Sequence, residues 1–160
     1  MFTAIPRDET PDRDALAYAF GVRDAVERRL RHMLQGSSDV PEKLAAAMEH
    51  ALIAPSKRIR PARREGREDL SHAEAEDAVL NLCGAVEMVH TASLILDDLP
   101  CMDDALMRRG QPTTHVMFGQ ATAILSAIAL LTRAFGIIAE LDLHPAVRTR
   151  LAAILSEAVG

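Results

Sequence analysis

From Ser71 to Asp104 the chain runs through a long apolar helical repeat and straight into four carboxylates within eight residues, Asp97-Asp98-Leu99-Pro100-Cys101-Met102-Asp103-Asp104. Ser71 followed by Glu74 is a capping-box pattern. Val79, Leu82/Cys83, Val86, Val89/His90 and Ser93/Leu94 then recur at the helical period. The spacing predicts a helix over 72–98 with that stripe turned inward, bent or ended by Pro100. A stripe of this length needs other elements to pack against, and the composition says which kind. The chain holds 27 Ala and 19 Leu, 46 of its 160 residues, against four Phe, one Tyr and no Trp. Ala and Leu rank high in helix propensity, whereas strands favour aromatic and β-branched residues. The expected fold is all-α, an antiparallel helical bundle forming one domain over 1–160.

The remaining segments fit that architecture. Thr10-Pro11-Asp12 reads as a helix start, followed by Leu16, Phe20, Val22, Val26, Leu30 and Met33/Leu34, and Gly36-Ser37-Ser38 ends the segment. Asp39 and Pro41 open a second helix with Leu44, Ala47, Met48 and Ala51/Leu52 on one face, broken at Ala54-Pro55-Ser56. Residues 57–70 are charged and poor in apolar residues, and 99–118 are polar and rich in turn formers. Gly119 precedes a strongly apolar helix reaching about Leu141, and Pro145 opens a last one.

The net charge of −5 argues against a nucleic-acid partner. The longest apolar run, Ala123 to Leu131 with Ser126 inside it, is too short to span a bilayer, and the first residues carry no apolar secretion signal, so a cytoplasmic setting without a membrane span is expected. Sixteen of the 18 basic residues are Arg, the side chain suited to bidentate contacts with phosphate.

The four carboxylates lie where a helix C-terminus disfavours anions by ~0.3–1 kcal/mol each, and they repel one another. A cationic partner has to compensate. Hard divalent ions with oxygen ligands do so, and Mg2+ typically takes one or two carboxylates plus substrate phosphates. Alone, such a cluster is most simply a solvated acidic turn. Here Arg108-Arg109 follows within two helical turns, and Lys57-Arg58-Ile59-Arg60-Pro61 lies upstream. Carboxylates for a metal beside Arg and Lys for phosphate oxygens form a constellation suited to a diphosphate. His90 and Asp97 are seven residues apart and so share a helix face.

Asp97 to Asp103, followed by Arg108-Arg109-Gly110-Gln111-Pro112-Thr113-Thr114-His115, resembles the first aspartate-rich motif and following segment of trans-isoprenyl diphosphate synthases, the polyprenyl synthetase family. Glu87-Met88-Val89-His90-Thr91-Ala92-Ser93-Leu94 resembles the helix leading into that motif, and Lys57 to Pro61 the family's upstream GKRxRP element. Phe118 to Leu125 (FGQATAIL) is similar to the geranylgeranyl diphosphate synthase branch. The resemblance implies an isoprenoid-synthase-type bundle that joins an allylic diphosphate to isopentenyl diphosphate by head-to-tail prenyl transfer, with Mg2+ as cofactor. Carried over, Asp97 and Asp103 are metal ligands assisted by Asp98. Arg108 contacts the allylic diphosphate, and Arg109 with Lys57, Arg60 and His90 holds the diphosphate of isopentenyl diphosphate. Ala92 and Ser93, one turn before the first Asp, are the positions that set product length, and their small size favours a C20 or longer product. A homodimer or another helix-packing partner is also implied.

The chain departs from the family in several places, two of them single positions: Leu96 stands where a His is common before the Asp pair, and Ile128 where many members carry Asp. Ala54-Pro55-Ser56 stands where glycines are usual. Ala62 to Asp69 (ARREGRED) is charged where the family has an apolar core helix. The family's second aspartate-rich motif lies beyond the length present, and no second DDxxD occurs here, which implies one metal–diphosphate cluster inside half a bundle. Two further readings compete. One is a non-catalytic homologue that binds diphosphate or a partner subunit. The other is a class I terpene cyclase, which lacks the basic element represented here by Lys57, Arg60 and His90.

Overall fold

The computed structural model describes residues 24–34, 40–53 and 73–159. Six helices and one two-stranded hairpin make up the described chain. Helix α1 covers 24–34. It is followed by α2 (Glu42–Ile53), α3 (Ala73–Asp97), β1 (Met107–Arg108), β2 (Gln111–Pro112), α4 (Thr114–Phe118), α5 (Gln120–Ala139) and α6 (Pro145–Val159). The all-α class holds. The helix starts expected at Thr10-Pro11 and Ser71, and the basic element at Lys57 and Arg60, lie outside the described residues.

Helices α3 and α5 form the central pair and share the largest interface, with α2 laid against both. The core joins Val26, Leu30 and Met33 of α1, Met48 and Leu52 of α2, Met88 and Ile95 of α3, and Leu130 and Ile138 of α5. The apolar faces expected for α1 and α2 are the buried ones. Gly84 lets α1 approach α3 closely, since a Cβ there would stand 2.9 Å from the Met33 sulfur. Arg133 of α5 donates to the Met33 carbonyl and so closes the last turn of α1. At the C-terminal end of α5, Arg148 donates to the Ala139 carbonyl at 2.7 Å, tying α6 back across a short connection.

Two expectations need correction. The most deeply buried face of α3 is not the Val79, Leu82/Cys83, Val86, Val89/His90, Ser93/Leu94 stripe, of which Leu82, Cys83 and Val89 are only partly buried against the core. It is the neighbouring one, Ala78, Ala85, Met88, Ala92 and Ile95, with Glu87, Thr91 and Asp98 also buried. The helix is apolar almost all round, so periodicity alone allows several stripes. Packing selects the face, and Ala85 and Ala92, seven residues apart on it, belong to the core shared with α5. Second, α3 (over Asp77–Asp97) and α5 are both long and apolar enough to cross a membrane by length and composition. An uninterrupted apolar run understates this, because Thr122 and Thr132 bound the run Ala123–Leu131 without ending the helix. Both helices also bury polar groups, Glu87 and Thr91 on α3 and Ser126 on α5. On its outer side α5 leaves Ile124, Leu125 and Ile128 exposed.

A candidate diphosphate site at the end of α3

The acidic segment folds back over the C-terminus of α3. The amide of Asp103 donates to the Asp97 carbonyl at 2.8 Å, that of Asp104 to Leu99 at 3.1 Å, and that of Ala105 to Asp98 at 3.2 Å. These bonds satisfy carbonyls that the helix end would otherwise leave open. They also return Asp103 to the level of Asp97, six residues earlier. Asp104 takes φ 50°, a left-handed conformation that turns the chain out of the loop.

The next residues form a hairpin that sequence reading missed. β1 and β2 are antiparallel, with Met107 opposite Pro112 and Arg108 opposite Gln111. Arg109 (φ 53°) and Gly110 (φ 81°) are the two turn residues, and two positive φ values in a two-residue loop are the pattern of a type I′ turn. Gly110 suits that position, whereas Arg109 adopts it at a cost of about 1 kcal/mol. The signal was present as Arg-Gly-Gln-Pro between short extended residues, but Arg in the first turn position hides it. The hydroxyl of Thr113, which is buried, donates to the Ala105 carbonyl at 2.7 Å and anchors the strand leaving the hairpin at the start of α4.

The hairpin is bolted to the end of α3 by one side chain. Arg108 Nε donates to both carboxylate oxygens of Asp98 at 2.8 Å, and its Nη2 lies 2.7 Å from Asp98 Oδ1. The Asp98 side chain is 6% exposed and that of Arg108 34%. The hydrogen bonds that Arg108 donates to Asp98 hold its pKa above arginine's ordinary value. Burial opposes the shift, and the charges of Asp98, Asp97 and Asp103 add to it. Those three carboxylates therefore all act on one guanidinium.

The expected site residues separate into groups. Asp97, half-buried, and Asp103, exposed, flank the loop on one side. Asp98 is buried and occupied by Arg108. Arg109 is exposed at the hairpin tip, beside Gly110. His90 is half-buried on α3, two turns before Asp97, and its carbonyl accepts from Ser93 Oγ at 2.8 Å. Ser93 is exposed and Ala92 is buried against the core. Lys57 and Arg60 are not among the described residues. Among the described residues no three His, Cys, Asp or Glu side chains gather as a cage for a metal. Backbone bonds do bring Asp97 and Asp103 to the same level at the end of α3, and two carboxylates are what Mg2+ would take when phosphate oxygens and water complete its shell.

A small cavity lies between α2, α3 and the hairpin, lined among others by His50, Thr91, Asp98, Arg108, Gln111 and Thr114. His50, which sequence reading passed over, closes its α2 side. Nothing in the sequence marks His50, because its partner is 62 residues away.

A helical bundle whose central helix ends in an acidic loop beside an arginine hairpin is the architecture that the sequence resemblance implied. Comparison with known proteins makes this specific. The polyprenyl synthetase family model matches residues 41–160, and the chain belongs to that family. It is 50% identical over 144 residues to a geranylgeranyl diphosphate synthase of Pantoea ananas, covering 84% of this chain and 45% of that protein. Among solved structures it is similar to an FPP/GFPP synthase of Zymomonas mobilis (TM-score 0.79, 35% identity, 92% of this chain and 53% of that one). It is also similar to a geranyltransferase of Helicobacter pylori complexed with magnesium and isoprenyl diphosphate (TM-score 0.77, 30% identity, 95% and 52%). The chain spans about half the length of the curated relatives it matches.

Proposed function

We propose that this chain carries the allylic-diphosphate side of a prenyltransferase that joins an allylic diphosphate, farnesyl diphosphate or shorter, to isopentenyl diphosphate and yields geranylgeranyl diphosphate. The observation that carries this is the convergence of the Asp97–Asp103 loop and the Arg108–Arg109 hairpin at one end of α3. Family membership and the similarity to a geranylgeranyl diphosphate synthase support the choice of reaction.

In this reading Asp97 and Asp103 hold Mg2+, and Asp98 keeps Arg108 in place beside them. When bound, the ion supplies charge stabilisation to the diphosphate as the allylic C–O bond ionises. Arg108 adds a fixed positive charge near the departing oxygens, most effective where water is excluded. Arg109, with Lys57, Arg60 and His90, holds the diphosphate of isopentenyl diphosphate so that its double bond faces the allylic carbon. Orientation of two bound reactants accounts for much of the rate in such a condensation. Ser93 and Ala92 border the path of the growing chain and set its length. The setting is cytoplasmic, with no nucleic acid or membrane as partner. A second copy or a related subunit packs on the bundle.

The test is direct. Purified chain is incubated with farnesyl diphosphate, isopentenyl diphosphate and Mg2+, and the products are separated by chain length. Formation of a C20 product supports the proposal. Mg2+-dependent diphosphate binding without elongation favours the non-catalytic homologue. A cyclic hydrocarbon formed without isopentenyl diphosphate favours a cyclase. Absence of both binding and turnover refutes the proposal.

A further inference from the structure

The arginine hairpin is fastened to the bundle at two separate points. One is the Asp98–Arg108 pair, just past the end of α3. The other is His50 of α2, whose Nε2 lies 2.8 Å from the Pro112 carbonyl. A carbonyl only accepts, so Nε2 carries the hydrogen and His50 donates. The imidazole is held in turn by Phe118 of α4, edge to face with ring centroids 5.5 Å apart. Pro112 pairs with Met107 across the hairpin, and the adjoining pair is Arg108 with Gln111. A bond to the Pro112 carbonyl therefore sets the height of the strand pair that carries Arg108, and of the turn that carries Arg109. His50 stands one turn before the end of α2 at Ile53, and the same helix leads in sequence toward Lys57 and Arg60.

We infer that His50 is a positioning residue for the diphosphate site, tying the Arg108–Arg109 hairpin to α2 through the Pro112 carbonyl. This rests on the diphosphate-binding reading above. Asp98 holds Arg108 through its side chain, but one pivot leaves the hairpin able to rock about the guanidinium. The second, on the opposite strand and held by α2, removes that freedom. The ordering cost of clamping a diphosphate is then met in folding rather than at binding.

Two substitutions isolate the hydrogen bond. His50→Phe keeps a ring against Phe118 and removes the donor, and His50→Gln keeps an N–H donor near the Nε2 position without the ring. Two measurements are made on the full 160-residue chain at a temperature where each variant is folded. The first is calorimetric binding of inorganic diphosphate in the presence of Mg2+. The second is solvent exchange of the Arg108 Nε–H followed by NMR. His50→Phe is expected to bind diphosphate about tenfold more weakly, the equivalent of one net hydrogen bond, and to exchange the Arg108 Nε–H several-fold faster. His50→Gln should recover most of both. The inference is overturned if His50→Phe matches wild type in both measurements, or if His50→Gln is as impaired as His50→Phe. Failure of His50→Phe to fold also overturns it, because His50 would then support the bundle and not the hairpin. If wild-type chain binds no diphosphate, the functional reading fails, and the exchange measurement alone decides whether His50 holds the hairpin.

Discussion

Replacing Arg108 by methionine removes the only cation that, among the described residues, contacts a carboxylate whose side chain is 6% exposed. Breaking a buried pair by taking away one partner costs about 3–5 kcal/mol, because the charge left behind is neither paired nor hydrated. Asp97 and Asp103 also act on the same guanidinium, so its loss leaves their mutual repulsion uncompensated. The reverse substitution, Asp98→Leu, is milder. Arg108 keeps 34% of its side chain exposed and can turn toward water, so the loss is that of its charge-assisted hydrogen bonds, about 1.5–3 kcal/mol. At roughly 2–4 °C per kcal/mol for a domain of this size, Arg108→Met should lower the melting temperature by roughly 6–20 °C. The double variant, with neither charge present, should be more stable than Arg108→Met alone. Thermal and urea melts of the three variants and wild type make up the assay. Equal losses from the two single variants, or a double variant whose loss is their sum, would refute the claim that Asp98 is occupied by Arg108. The pH dependence follows from the raised Arg108 pKa. A group whose folded pKa is raised contributes stability that is complete below its unfolded value and disappears only as pH rises through the folded one. That contribution should therefore be flat from about pH 6 to about pH 10.

Asp97→Ala and Asp103→Ala should abolish Mg2+-dependent diphosphate binding while barely changing the melting temperature, since neither side chain supports the core; calorimetry and a thermal melt check the two halves. Arg109→Gly should do the opposite on stability, gaining about 1 kcal/mol by relieving the left-handed arginine while weakening diphosphate binding. Ala92→Phe should destabilise by about 1–3 kcal/mol, because Ala92 is packed in the core; exposed Ser93→Phe should leave the melt unchanged, and is therefore the cleaner test of product length by chromatography. Leu130→Ala, at a site fully enclosed between α5 and its neighbours, should cost about 2–5 kcal/mol in a urea titration.

The helix at Pro145, the start of α5 after Gly119 and the inward faces of α1 and α2 were legible because they rest on local chemistry. Proline and glycine restrict the backbone where they stand, and a strongly amphipathic repeat points only one way. The aspartate and arginine motifs were legible as a set for the same reason, since their spacing along the chain is short. The hairpin at 107–112 was not, because an arginine at positive φ gives no turn signal. Nor was the buried face of α3, since on a helix apolar on most sides the choice is made by whichever neighbour packs tightest.

By itself the sequence determined that this chain folds as helices, where most of the described ones start and stop, and that carboxylates and arginines meet at one end of its central helix. Only the tertiary structure decided what each of those groups does there. It turned Asp98 inward onto Arg108, left Asp97 half-buried and Asp103 exposed, and brought His50 of α2 against the Pro112 carbonyl. Helix periodicity is a property of neighbours three and four residues apart. A hydrogen bond across 62 residues depends on how whole helices pack, and no local pattern records it.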